Sequence, residues 1–437
     1  MYSMNYKKIA VIGSGISGLT SAYLLQNGYE VTLFEEQNYL GGHTNTVDIE
    51  AEGKVFPVNT GFIVFNDWTY PNFIRLMDHL GVASENSDMS FSVRCDKSNL
   101  EYNGASFNSL FCQRRNLINL RFWRMIKDII RFNKEATDAY QNGSLDSGIT
   151  LGEYLKANGY GDEFGRYYII PMGSAIWSAS ESDMMAFPAA FFVRFFHHHG
   201  LLSIDNRPQW RVISGGSRSY VDALKQRLSG PVHINHGIQT VKRHDRGVTL
   251  VDHQGTELEF DAVIFACHSD QALSLLEQPT ADETEILEAI PYDSNSVILH
   301  TDKSLLPRNK RGWAAWNYRI PASKDQPVTV TYNMNILQNF QADTTFCVSL
   351  NQDDHIDPEL ILKRYNYSHP AFTLKGVHAQ QRFNSINGKQ NTFYCGAYWF
   401  NGFHEDGVNS AIRVAKSLNI DFDNVVIPCA AKSIKAS

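Results

Sequence analysis

The first apolar run of the chain, Ile9-Ala10-Val11-Ile12, stops abruptly at a glycine. A short continuous apolar run bounded in this way predicts a buried strand over 7–12. Helical spacing then predicts a helix over 16–26, and Val31-Thr32-Leu33-Phe34 predicts a second strand over 30–34. Strand, helix and strand in that order open a parallel α/β sheet. The pattern reads as mostly helical over 70–133 and as a mixed, aromatic-rich stretch over 144–206. A helix over 219–228 follows, then short strands ending in the buried run Ala262-Val263-Ile264-Phe265. Strand-like runs alternate with loops over 280–384, and 392–418 reads as strand, irregular loop and helix. No repeat, low-complexity tract or linker interrupts this order, which predicts two interleaved domains.

Composition narrows the picture. Acidic residues outnumber basic ones by 46 to 39, for a net charge of −7, so nucleic-acid binding is not expected. No run of 18 apolar residues occurs, and the apolar stretch near the N-terminus leads into a glycine loop rather than a cleavage site. The expectation is therefore a cytoplasmic protein, with peripheral contact at the inner membrane surface left open. Six scattered cysteines (Cys95, Cys112, Cys267, Cys347, Cys395, Cys429) form no CxxC pair, so free thiols are expected. The run His197-His198-His199 is not a metal site either, because adjacent side chains diverge on both helices and strands.

Gly13-Ser14-Gly15-Ile16-Ser17-Gly18 is a GxGxxG loop between strand and helix, and the next strand ends at Glu35. Glycines there permit a tight turn and close approach of a pyrophosphate to the helix N-terminus, while the carboxylate suits ribose hydroxyls. A carboxylate at that position repels a 2′-phosphate and argues against NADP. A second glycine pair, Gly41-Gly42, precedes His43 and Thr46 and lets another backbone stretch approach the cofactor.

The combined GxGxxG, Glu35 and Gly41-Gly42-His43-Thr44-Asn45-Thr46 pattern resembles the flavin amine oxidase and phytoene desaturase superfamily. Further segments are similar to a bacterial NAD/FAD-binding family within it: 56–66, Pro171-Met172 with Ala175–Ser178, His199–Leu202, Pro208–Arg211 with Gly215–Ser217, and Cys395–Tyr398 with Gly402–Gly407. That family also resembles the N-terminal oxidase-like region of plant cyclopropane fatty acid synthases. The resemblance implies a Rossmann-like α/β FAD-binding domain (1–67, 205–278 and 385–437) interleaved with a mixed α+β substrate domain (68–204, largely helical, and 279–384, strand-rich). It places Gly13, Ser14, Gly15, Ile16 and Gly18 on the pyrophosphate and Glu35 on the ribose. Gly42, His43 and Thr46 fall on the ribityl side, Thr60 and Gly61 lie along the cofactor, and Ile238 lies at the adenine. Glu405, Asp406, Gly407 and Val408 open a last helix facing the flavin. Two departures stand out: the chain has Ala397 and Tyr398 where the superfamily has an acid, and Leu299 where amine oxidases place a lysine. Cys395 is a poor covalent anchor, so the expected cofactor is noncovalent FAD.

Substrate-side candidates are His199 and His300 as catalytic residues, with Trp316, Asn317, Tyr332, His369 and Trp399 as further neighbours. The segment 110–132 carries Arg114, Arg115, Arg121, Arg124, Lys127 and Arg131 among Leu117, Leu120, Trp123, Ile126 and Ile130. It reads equally as a basic amphipathic helix for a membrane surface or as an ordinary helix with a basic outer face. The resemblance implies an FAD-dependent oxidoreductase that dehydrogenates or remodels a lipid acyl chain by hydride transfer to flavin N5, in association with a fatty-acyl methyltransferase. A small-amine oxidase and a non-catalytic flavin-binding accessory protein are the alternatives.

Overall fold

The computed structural model describes residues 6–322 and 329–425; Cys429 lies outside them. At its centre is a five-stranded parallel sheet in the order Val232–His233, Glu30–Phe34, Lys8–Ile12, Ala262–Phe265, Thr392–Tyr394. These strands are apolar because both faces are covered: Ile9, Ala10 and Val11 and the whole of Ala262–Phe265 are fully buried. The helix Ile16–Leu25 and the last helix, His404–Ser417, pack together beside the sheet. A three-stranded antiparallel meander, Ile238–His244, Gly247–Asp252 and Glu257–Phe260, covers the rest.

A second sheet has seven strands, in the order Ile361–Pro370, Tyr292–His300, Cys347–Leu350, Val330–Asn333, Trp316–Ile320, Phe91–Cys95, Leu100–Asn103. It is antiparallel except where Phe91–Cys95 runs parallel to Trp316–Ile320. One apolar face packs on the helix Leu120–Gln141 through Phe122 and Met125. A helical layer built from Leu151–Ala157, Ile170–Trp177 and Ala189–His198 completes this half around a core rich in phenylalanine.

Two expectations need correction. The stretch 70–133 is not mostly helical: after Pro71–Leu80 the chain forms strands at Ser84–Asn86, Phe91–Cys95 and Leu100–Asn103. The basic segment is not one helix either. A turn at Arg114–Ile118 ends at Asn119, whose side chain caps the helix that begins at Leu120 by accepting the Arg121 N–H at 3.1 Å.

Candidate active site

From the Lys8–Ile12 strand the chain moves to one neighbour, Glu30–Phe34, and later returns on the other side as Ala262–Phe265. That reversal of direction opens a crevice beyond the carboxyl ends of the strands, where open α/β sheets bind ligands. The glycine loop lies there. Gly13 adopts φ +100°, and a Cβ on it would meet Ala266 O at 2.7 Å. A Cβ on Gly18 would meet Gly13 O at 1.9 Å, so this glycine lets the helix close on the loop. A Cβ on Gly15, by contrast, would meet nothing within 4 Å. The helix start at Ile16 has no side-chain cap and no acid in its first turn, so its amides and positive dipole end remain available to an anion. Glu35 ends the next strand, and its carboxylate accepts the Ser14 N–H at 2.9 Å, the Ser14 hydroxyl at 2.6 Å and the Gln37 N–H at 2.8 Å.

The second glycine pair sits against this loop. A Cβ on Gly42 (φ +58°) would lie 3.1 Å from Gly15 Cα, and one on Gly61 would lie 2.2 Å from His43 O. His43 projects among His268 and His369, with ring centroids at 5.7 and 5.5 Å, and Tyr367 at 5.2 Å. Its Nε2 is buried without a hydrogen-bond partner. Burial lowers the pKa of His43 and pushes His268 and His369 down to about 3, so all three are neutral at pH 7. The uncapped amides of the helix start as donors, the Glu35 carboxylate as acceptor, the orphaned imidazole nitrogen and the open side of Gly15 are the polar groups and space a dinucleotide requires. The residues fit FAD.

Other expected residues serve the framework. The Thr46 hydroxyl donates to Asn59 Oδ1 at 2.8 Å and accepts the Arg218 N–H at 2.9 Å. Thr60 Oγ1 is 2.8 Å from the Tyr367 hydroxyl and donates to Asn45 O at 3.1 Å. Ile238 is buried at the start of the meander. A Cβ on Gly407 would meet Ile16 Cγ2 at 2.6 Å and Ser17 Oγ at 2.9 Å, and Val408 is fully buried in the core. The carboxylate of Glu405 turns away to the helix Pro71–Leu80, and Asp406 accepts the Phe403 N–H at 2.9 Å. Glu405 thus bonds a different helix, and Asp406 caps its own.

The two catalytic candidates part company. His199, buried at the end of Ala189–His198, stacks on Phe195 at 3.8 Å and donates Nδ1–H to Phe195 O at 2.9 Å. Trp210 and Phe403 lie beside it, at 6.4 and 6.1 Å between ring centroids, and burial pushes its pKa down to about 4. His300 belongs to the same strand as Tyr292, which stacks on His268 in the cleft. At about 3.3 Å per residue, His300 at the other end of that strand lies roughly 26 Å away. It is fully buried, bonded to Ser349 Oγ at 2.8 Å and to the Asp302 N–H at 3.1 Å. The expectation for His300 is therefore corrected: it is a core residue.

Asn317 is likewise consumed by bonds to Ser92, Ala314 and Thr331. Trp316 and Tyr332 pack edge to face at 4.8 Å within the large sheet. Trp399 and Tyr398 are buried with Nε1 and OH unpartnered. His197 and His198 turn to Tyr140, with His198 Nε2 2.7 Å from its hydroxyl, and diverge from His199. Among the described residues, no three His, Cys, Asp or Glu side chains gather as a metal ion needs. No described helix is long and apolar enough to cross a membrane.

Sequence reasoning missed His268 and His404. His404 Nε2 lies 2.9 Å from Thr44 Oγ1 and 3.0 Å from the Tyr220 hydroxyl, and its ring stacks on Phe62. His404 stood inside a quoted motif, but nothing local signals that its partners lie hundreds of residues away.

The comparisons agree with this geometry. The solved structure of a fatty acid isomerase from P. acnes that produces CLA superposes with a TM-score of 0.69 at 17% identity, covering 95% of this chain and 99% of that one. The AofH protein of Mycobacterium tuberculosis is 24% identical over 339 residues, 75% of this chain and 70% of its own length. A shorter match, 41% identical over 80 residues, is to the carotenoid phi-ring synthase of Chlorobaculum tepidum and spans 18% of this chain and 12% of that protein. Residues 16–365 match the flavin containing amine oxidoreductases, from the first helix into the strand Ile361–Pro370. With the match running through most of the chain and the glycine cradle in place, the chain belongs to the flavin-containing amine oxidoreductase family and is an FAD-dependent oxidoreductase.

Proposed function

We propose that this oxidoreductase holds FAD noncovalently and dehydrogenates, or otherwise remodels, a lipid acyl chain. The observation that carries the reading is the apolar cluster of rings packed beside the start of the last helix, which would form one wall of an acyl site. Phe195 stacks on Phe403 at 5.1 Å, Phe191 meets Phe372 at 5.1 Å, and Trp177 and His199 complete the group. A methylene chain offers neither charge nor hydrogen bonds, so such a wall recognises it by burial, at about 0.8 kcal/mol per CH₂. The rings would bind and orient the chain and exclude water. His199, neutral and held by Phe195 O, would present Nε2 as the local proton acceptor. FAD, when bound, supplies the hydride acceptor. Cys395 supports noncovalent binding: its thiol is buried, pushed up to about 12, and lies 3.5 Å from Ser21 Oγ. A fatty-acyl methyltransferase is the partner that would generate such a substrate.

A small-amine substrate has one observation in its favour. Asp406 is a buried carboxylate at the same helix start, and burial pushes its pKa up to about 7. It already accepts the Phe403 N–H at 2.9 Å, which makes it a helix cap first. The test is mass spectrometry of extracted bacterial phospholipids after incubation with the aerated enzyme. Acyl chains two hydrogens lighter support the lipid reading. Unchanged lipid, with simple amines converted to aldehydes, replaces it with amine oxidation.

A further inference from the structure

We infer that the corner formed by residues 107–124 docks the protein on an anionic phospholipid surface. Five large apolar side chains are exposed there: Phe107, Leu117, Ile118, Leu120 and Trp123, with Ile118 87% and Leu120 74% accessible. They form one patch rather than scattered exceptions. The Phe107 ring packs on Phe111 at 4.8 Å, Phe111 on Trp123 at 5.3 Å, and Trp123 Nε1–H donates to Leu117 O at 2.9 Å. The Asn119 cap breaks the segment in two, so turn and helix start together present Leu117, Ile118, Leu120 and Trp123, beside Phe107 of the preceding short helix.

Charge identifies the occupant. Arg114, Arg115, Arg121 and Arg124 are all exposed around the patch. The turn Lys310–Gly312 adds exposed Lys310 and Arg311, and is held to the corner by Asn309 Nδ2 donating to Cys112 O at 2.7 Å. Among the described residues, the ion pair these cations make is Arg121 with Glu163, at 3.9 Å, the arginine exposed and the glutamate partly buried. A chain of net charge −7 therefore gathers cations around its exposed Ile, Leu, Phe and Trp side chains. Apolar tips for the acyl boundary, Trp at the headgroup level and a ring of arginines form the interfacial anchor an anionic bilayer selects. A second copy of this chain would bring like charges together at the same patch. The inference does not depend on which substrate the cleft takes.

The test is co-sedimentation of the flavin-loaded protein with vesicles of phosphatidylglycerol and phosphatidylcholine, and with vesicles of phosphatidylcholine alone. Binding to the anionic vesicles, falling as salt rises, is expected. Arg115→Glu should weaken partitioning about fivefold or more. The double variant Ile118→Asp with Leu120→Asp should abolish it while keeping the oxidised-flavin spectrum and thermal midpoint of the parent, because both side chains are exposed and an acid suits a helix start. Equal binding to neutral vesicles, or anionic binding that survives the double variant, overturns the inference. So does a protein that ignores vesicles but sediments as a dimer that the double variant converts to monomer.

Discussion

Glu405 leaves its own helix to cap another: its carboxylate accepts the Phe73 N–H at 2.7 Å and the Asn72 N–H at 3.1 Å. The helix Pro71–Leu80 has no cap from its own N-cap residue, Tyr70, so Glu405 satisfies two otherwise orphaned donors and meets the positive end of the dipole. This bond fixes the start of the last helix, with His404 and Phe403, against the helix Pro71–Leu80.

Glu405→Ala should therefore cost about 2 kcal/mol in urea unfolding, since it strips a charged acceptor from buried amides. Glu405→Gln should cost less. Both should purify with flavin bound. Flavin loss at unchanged stability would instead place the carboxylate on the cofactor.

The two glycines of the loop should fail in different ways. Gly15→Ala puts a methyl group into open space in the protein, at an extended backbone (φ −62°, ψ −179°), so the flavin-free protein should keep its stability and bind FAD poorly. Gly18→Ala drives a methyl group into Gly13 O and should reduce soluble folded protein itself. Fluorescence titration of the flavin-free proteins with FAD, beside their unfolding curves, separates the outcomes.

Buried neutral histidines predict acid lability. His199 and His300 have folded pKa values of about 4, below the unfolded value near 6.5, so the unfolded chain binds more protons between those limits. Stability is complete above about pH 6.5 and falls as pH drops toward 4, by about 1–2 kcal/mol for each of these two at pH 5. His268 and His369 act in the same direction down to about pH 3. Asp406 opposes them, because its carboxyl is pushed up to about 7 and regains stability on acidification. Glu405 and Asp293, also raised by burial, act with Asp406, while buried His43 and His404, both lowered, act with the other four rings, so the imidazoles outnumber the carboxyls and set the net sign. Urea midpoints at pH 8 and pH 5 check it, and an equal or higher midpoint at pH 5 would refute the assignment of these rings as neutral.

Noncovalent binding predicts that acid or urea releases the whole flavin complement into the supernatant after filtration. Yellow colour retained on the denatured chain would contradict it.

What could be read from the sequence followed how locally it was encoded. The opening strand, helix and strand came out within a residue of their ends because apolar runs and glycines lie next to each other. Phe91–Cys95 carried the strand alternation but looked helical in context: it pairs locally with Leu100–Asn103, yet the strand that joins this hairpin to the large sheet is Trp316–Ile320, more than two hundred residues on. His300 looked like a site residue because it adjoins Leu299 in sequence. Only the register of the Tyr292–His300 and Ile361–Pro370 pair shows which end of the strand reaches the cleft. The His43, His268 and His369 group needs three distant segments at once. The motif around Glu405 marked the right helix, yet which way that side chain turns depends on Pro71–Leu80.

The most direct test of the account is anaerobic titration of the purified flavoprotein with bacterial phospholipids, with simple amines and with NADH, following loss of the oxidised-flavin absorbance. Bleaching by phospholipid is expected, and none by phospholipid from which the acyl chains have been removed. Bleaching by amines alone, or flavin that none of the three reduces, would contradict it.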